Sequence, residues 1–480
     1  MIRKTILLAL SAGIAACTVG PDYDAKSPEV ARKEWHGPAT SHVTYDEVKL
    51  DWWNVFGDPL LERYIKEAVE NNKDVKIALA NVKRARALRG ESSAAFNPQL
   101  EGSAEGDRSK TSDAISSSNG GQIRNLYDAG FDASWEIDIF GGNRRALEAA
   151  DARLGSATSD YHDVMLSTLA EVARNYYEAR GLQKRIAITE ENAELLKQTF
   201  DLVDARLEAG EASEFDLSRA LGEYQLTRAR LPNLVADLHA SIFTLSVLLG
   251  QPPEALLNEM QKAKPLPTPP DMVPVGLRSD MLRRRPDIRT AERELAASVA
   301  DIGVETSDLF PKFFLTGNAG TQARNFGDLF SAAGGVWSLG SLVQWSVFEG
   351  GAIRARIKAE EAESEAALAT YEKAVLEALA DTETALTRYG QELETRKRLF
   401  AGVESRRKSV QLAKELFDAG EEDYLSVLDA ERELTASEDD LVISETNSIT
   451  KLIALYAALG GGWEEFVTPR PVPKTEESAR

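Results

Sequence analysis

The sequence predicts a mainly helical chain with a small β part fit for a membrane, built as one unit written twice. Three observations predict it. The chain matches itself without a gap, so that Arg144 falls on Arg354, Ala152 on Ala362, Tyr161 on Tyr371, Gly210 on Gly420, Glu223 on Glu433 and Leu249–Gly250 on Leu459–Gly460. Each copy holds two strand-like stretches, the second of which alternates apolar and polar residues, the signature of a strand with one apolar face. Each copy then runs on with helical spacing and no proline for about 70 residues, roughly 100 Å of helix.

The strands are expected at about 98–107 and 127–140, then at about 311–321 and 336–348. In "FDASWEIDIFGG" Phe131, Ala133, Trp135, Ile137 and Ile139 share one side, and Asp132, Ser134, Glu136 and Asp138 the other. Trp337, Leu339, Val343, Trp345 and Val347 share a face in the last strand. Lengths near ten residues suit tilted strands crossing a bilayer. Four strands cannot close a barrel, because the smallest membrane barrels have about eight and an open edge in hydrocarbon leaves backbone groups unpaired. Either several chains share one barrel, or the strands form a small soluble sheet at the end of a helical bundle.

Helices are expected over about 143–209 and 213–250 in the first copy, and over about 351–419 and 423–459 in the second. Leu379, Leu386, Tyr389, Leu393, Phe400, Val403, Val410 and Phe417 step by seven, three and four, which is a coiled-coil seam. Gly210 and Gly420 suit the left-handed position that ends a helix, and Ser213 and Asp423 suit the cap of the next one. The chain divides accordingly into a leader (1–16), an N-terminal arm (17–50), a first repeat (51–263), a Pro-rich link (264–275), a second repeat (276–460) and a tail (461–480).

Composition excludes several functions. A net charge of -21 argues against nucleic acid as a partner, since that affinity rests on clustered Lys and Arg, and a run such as Arg283, Arg284 and Arg285 is short. The histidines His36, His42, His162 and His239 lack ligand spacing, and no phosphate loop or nucleophile elbow is present, so no catalytic residue, metal or cofactor is expected. No unbroken apolar run of about 18 residues is present that would make a transmembrane helix. "MIRKTILLALSAGIAAC" has the layout of a secretory signal and ends on the single cysteine, Cys17, behind Ile14, Ala15 and Ala16. That order matches a lipobox, with Cys17 as the acylated residue, although a cysteine beside an ordinary cleavage site reads the same way. Thr18 in place of Asp gives no sign of inner-membrane retention. Around Arg285, Pro286 suits a first helical turn and Asp287 its dipole, with the arginines pairing to acids of neighbouring helices. Trp52 and Trp53 read as packing anchors for the arm.

Four motifs carry a family resemblance: "CTVGPDY" at Cys17, "DWWNVFGDPLLERYIKEAVENNKDVKIALANVKRARA" at Asp51, "MLRRRPDIRTAERELAASVADIGVETSDLFPKFFLTGNAG" at Met281 and "FDAGEEDYLSVLDAERELTASEDDL" at Phe417. Together they resemble the TolC-like outer-membrane factor family, in its lipoprotein (NodT) branch, over nearly the whole chain. The resemblance implies a homotrimer in the outer membrane, lipid-anchored, with a 12-stranded β-barrel continued by an α-helical barrel through the periplasm. It also implies a periplasmic adaptor (membrane fusion protein) and an inner-membrane pump of the resistance-nodulation-division type as partners. On that reading Asp132, Glu136 and Asp138 face a lumen while Trp135 and Ile137 face lipid.

The resemblance further places a periplasmic gate at the two helix-turn-helix tips. Asp429 matches the aspartate of the family's "VLD" tip, and three copies of it about an axis would repel. Asp216 matches the acid of the first tip; both residues read equally as solvated helix surface. Gly210, Gly420, Glu421 and Tyr424 are tip residues, the last two facing an adaptor. Ser426 and Glu422 depart from the family's acid and base, which puts its usual closing salt bridges in doubt. The function implied is a passive exit duct for small molecules. Export of metal ions or polypeptides on the same fold, and a lipid-anchored coiled-coil scaffold without a pore, are the alternatives.

Overall fold

The computed structural model describes residues 18–24, 35–36, 42–112, 114, 123–270 and 272–467. The expected leader, Cys17 itself and residues 468–480 of the tail lie outside the described residues. In chain order the elements are β1 (Val43–Thr44), α1 (Pro59–Asn71), α2 (Lys73–Ala94), β2 (Gln99–Lys110), β3 (Ile123–Ile137), α3 (Gly142–Glu208), α4 (Glu214–Arg228), α5 (Leu231–Leu248), α6 (Leu257–Met260), β4 (Val273–Pro274), α7 (Arg278–Arg284), α8 (Pro286–Ser307), β5 (Lys312–Ala323), β6 (Gly335–Gln344), α9 (Ala352–Asp418) and α10 (Tyr424–Ala458). They gather into two units, one of residues 1–27, 81–158 and 290–372, the other of 28–80, 159–289 and 373–480.

The first unit is organised on a four-stranded antiparallel sheet in the order β2-β3-β5-β6. Its register sorts side chains by face. Leu100, Ala133, Gly317 and Leu339 form one row, and Gly102, Phe131, Ala319 and Trp337 the next row on that face. Between them, on the opposite face, run Glu101, Asp132, Asn318 and Ser338, with Glu105 opposite Asp128 further along. One face is thus apolar and small, the other acidic. Phe131, Trp337 and Leu339 of the apolar face are 60%, 80% and 81% exposed. Strands β2 and β6 each have one unpaired edge.

Strand β3 stops at Ile137, earlier than its alternation suggests, because Asp138 turns to a different task. Its carboxylate accepts from the Asn143 and Arg144 amides (3.3 and 3.0 Å) and from Arg144 Nε (3.2 Å). Asp138 therefore caps α3 and does not continue the acidic face. Trp135 and Trp345, equivalent in the two repeats, each donate an indole N–H to the backbone just before their partner strand, at Phe96 O and Leu309 O, both at 3.0 Å. The arm is held beside the same strand-to-helix junction. Val19 N donates to Phe140 O (3.1 Å), and Arg145 reaches Val19 O (3.0 Å), Gly20 O (3.3 Å) and the Asp22 carboxylate (2.6 Å). Gly20 has φ +88, and a Cβ there would stand 2.4 Å from Gly303 Cα, so only glycine fits.

Among the described residues the second unit is helical, apart from the two-residue parallel pair β1–β4. Its core holds Trp52, stacked on Tyr456 with centroids 5.7 Å apart, and Trp53 against Phe466. Arg180 is buried at 1% exposure and donates to Lys262 O and Gln183 Oε1, both at 2.8 Å, which ties α3 to the segment just before the Pro-rich link. The second helix expected in the first repeat is broken into α4 and α5 around Ala229–Arg230, since Pro232 supplies no amide for a helical bond; α10, its equivalent, is continuous. Phe400 departs from the seam and is 58% exposed, whereas Leu386, Tyr389 and Val403 are buried. The expectation that no helix suits a membrane does not hold by composition. Among the described residues the helical stretch Glu214–Leu248 is long and apolar enough to cross a membrane by composition, because a window average tolerates Asn233, Asp237 and His239.

Two joints connect helix ends in this unit. In the first, Asn72 Nδ2 donates to Leu248 O at the end of α5 (2.9 Å) while Asn72 Oδ1 accepts the Asp74 and Val75 amides of α2 (2.8 and 3.1 Å). In the second, Arg285 Nη1 donates to Ala458 O at the end of α10 (3.1 Å), and its other nitrogens grip Asp287 (3.0 and 2.6 Å), whose Oδ1 accepts the Ile288 amide of α8 (2.9 Å). Each joint pairs an orphan carbonyl with a capped N-terminus. Gly250 and Gly460, at φ +72 and +75, make the close turns that follow.

Candidate functional site at the helical tips

The two tips share one backbone device. At the first, Gly210 (φ +80) follows α3, with Glu211 N bonded to Arg206 O (2.8 Å) and Gly210 N to Leu207 O (2.9 Å). At the second, Gly420 (φ +74) follows α9, with Glu421 N on Leu416 O (2.9 Å) and Gly420 N on Phe417 O (3.0 Å). This is the paired-bond helix stop that needs a left-handed residue.

The following caps differ. Ser213 Oγ accepts the Asp216 amide (3.2 Å), and the Asp216 carboxylate accepts the Ser213 amide (3.2 Å) and its hydroxyl (2.6 Å). Asp216 is thereby committed to a capping box. At the second tip Asp423 Oδ1 accepts the Ser426 amide (3.2 Å), and the Ser426 hydroxyl donates to Glu422 (2.7 Å). Asp429 lies one turn further along α10, exposed, and its carboxylate makes no hydrogen bond or ion pair with another described residue.

Tyr424 is not on the outer surface. It is 7% exposed and packs with Leu196, Val203, Ala220 and Leu428, flanked by Phe417 and Tyr224. Its hydroxyl has no hydrogen-bond partner, and burial, followed by the nearby Glu431 and Asp216 charges, pushes its pKa well above the usual phenol value. Glu421 and Glu422 are exposed. Below Tyr424 the buried Glu431 accepts from Thr199 (3.4 Å) and pairs with Lys414 (2.8 Å), while Arg206 lies 4.1 Å over the Phe417 ring. Sequence reasoning missed Glu431. The signal was present, since Tyr424, Val427, Leu428 and Glu431 step by three, one and three and so share the buried face.

The tips thus bury Tyr424 and partly cover Asp216, and leave Gly210, Gly420, Glu421 and Asp429 in solvent. What the tips offer chemically is the exposed negative charge of Asp429 and Glu421. The family model described as outer membrane efflux protein matches residues 64–251 and 277–461. The solvent efflux pump outer membrane protein SrpC of Pseudomonas putida is 31% identical over 85% of this chain and 86% of its own length. Nodulation protein T of Rhizobium leguminosarum bv. viciae is 27% identical over 97% and 94%. The solved outer-membrane channel OprN superposes with a TM-score of 0.88 at 35% identity, over 93% of this chain and all of that one. The chain, duplicated, sheet-bearing and tipped as described, therefore belongs to the outer membrane efflux protein family.

Proposed function

We propose that the protein is the passive outer-membrane exit duct of a tripartite efflux system. It takes small molecules from a periplasmic adaptor and an inner-membrane pump of the resistance-nodulation-division type and releases them outside the cell. The observation that carries the reading is the sheet: four strands with one apolar face, one acidic face and two open edges. Such a sheet is satisfied in hydrocarbon only when its edges are paired by further copies, with the apolar face to lipid and the acids to water. Three copies then give a barrel of twelve strands, four from each. Uncovered apolar residues on the helices, among them Leu226, Val247 and Phe400, supply faces for the same neighbours. Relatives named as efflux-pump outer-membrane proteins support small-molecule cargo. Acylation at Cys17 anchors the chain, and the clamp of Arg145 on residues 19–22 holds the adjoining arm beside the strand-to-helix junction.

The gate belongs to Asp429 more than to Asp216, because Asp216 spends its carboxylate on the capping box whereas Asp429 is unpaired. Three Asp429 side chains about an axis form a repelling ring that a partner, cations or protons relieve. The test is direct. Detergent-solubilised protein is expected to be trimeric and to conduct in planar bilayers. A monomer that is freely soluble without its acyl group, or a trimer that stays non-conducting even as Asp429→Ala, would leave the scaffold reading standing instead.

A further inference from the structure

The two helix joints do the same mechanical task with different chemistry. The first uses one neutral amide, Asn72, to satisfy a C-terminal carbonyl and an N-terminal turn together. The second uses an ion pair, Arg285 with Asp287, and a groove of about 620 Å³ lies against it, lined by Asp163, Arg285 and Asp381 and by small residues of α10 such as Ala454 and Ala457. Arg285 Nη2 also stands 3.5 Å from Asp381. Two carboxylates, those of Asp287 and Asp381, therefore flank a single guanidinium, and a third, that of Asp163, lines the same groove and acts on it electrostatically.

We propose that the Arg285 joint is an acid-responsive hinge, in which one proton taken up by the carboxylates around Arg285 tightens the connection of α10 to α8, while the Asn72 joint ignores pH. The remaining charges about Asp163 do not neutralise the excess. From α3 come Asp160, Glu171 and Arg174. From α9 comes Arg388, and from α10 comes Lys451, which is already paired with the buried Glu392. Asp163 is the group that takes the proton. Burial, then repulsion from Asp287 and Asp160, pushes its pKa up to about 6 against the opposing pull of Arg285.

The sign follows from that direction. A carboxyl whose pKa is raised by folding stabilises the folded joint when protonated, and that stability is lost as pH rises through about 6. Between pH 7.5 and 5.5 the hinge should therefore stiffen. His162, next in sequence, pulls the other way, since burial and then Arg289 lower its pKa to about 4. It stacks on Trp463 with centroids 4.2 Å apart and is absent from the groove lining, so a local readout separates the two.

The experiment is hydrogen–deuterium exchange on the full-length protein in detergent, corrected for intrinsic rates, at pH 7.5 and 5.5. Peptides covering residues 286–292 and 455–461 are expected to exchange about fourfold more slowly at the lower pH, the change that one carboxyl of pKa about 6 gives between these two pH values. Peptides flanking Asn72 serve as the internal reference and should not change. In Asp163→Asn the joint should exchange slowly at both pH values, so that the difference disappears. An unchanged rate in the unaltered protein, a pH effect of the same size at Asn72, or a difference that survives in Asp163→Asn would each overturn the hinge. None of these outcomes depends on whether the protein conducts.

Discussion

Asn72 donates its side-chain amide to the Leu248 carbonyl at 2.9 Å and, with its oxygen, accepts two amides of the next helix. It is 3% exposed, so neither end of the amide has water to fall back on. Asn72→Ala should cost about 2 kcal/mol, one lost cap together with a carbonyl left unsatisfied. Denaturant titration of the purified protein checks this, and an unchanged midpoint would mean that the joint closes without its amide.

At the tips the two aspartates should part company. Asp429→Ala is expected to raise single-channel conductance and to leave stability within about 0.5 kcal/mol, as for an exposed unpaired side chain. Asp216→Ala is expected to cost about 1 kcal/mol, because it dismantles the capping box with Ser213. Bilayer recording and thermal melts on the same preparations distinguish them, and conductance that ignores Asp429→Ala moves the constriction to another residue.

His162 makes the protein sensitive to acid. Its folded pKa lies near 4, below the usual 6.5, because burial and then Arg289 oppose the imidazolium. The stability it supports is complete above pH 6.5 and is lost as pH falls towards 4. After allowance for solvent screening that loss is about 1 kcal/mol, and His162→Phe, which keeps a ring on Trp463, should abolish it. Melting temperatures at pH 7 and pH 4.5 in the two proteins are the check, with equal acid lability counting against it.

Gly20 admits no side chain. At φ +88, with Gly303 Cα 2.4 Å from where a Cβ would stand, Gly20→Ala should lift the arm from Arg145. Limited proteolysis should then cut within residues 18–24 several times faster than in the unaltered protein; equal rates would place the arm's hold elsewhere.

Much of the architecture is local and therefore legible. A left-handed glycine after a long helix and a Ser or Asp three residues beyond it set each tip, because hydrogen bonds between near neighbours need no distant partner. Alternation exposed the sheet faces, since a strand's period of two is a property of the strand alone. Alternation also misled at Asp138, where the polar phase of the pattern coincides with a helix cap and the nearer amides of Asn143 and Arg144 win. Helical spacing likewise runs on past Ala229–Arg230, where Pro232 breaks the helix.

What the sequence by itself determined is the duplicated order of strands, long helices and glycine-ended turns, because each is specified by residues a few positions apart. Only the tertiary structure decided that Tyr424 is buried, that Glu431 sits beneath it with Lys414, and that Asn72 and Arg285 each bind a helix end more than 170 residues away. Those pairings are chosen by which surfaces meet once the helices pack, and no local pattern carries the address of a partner so remote.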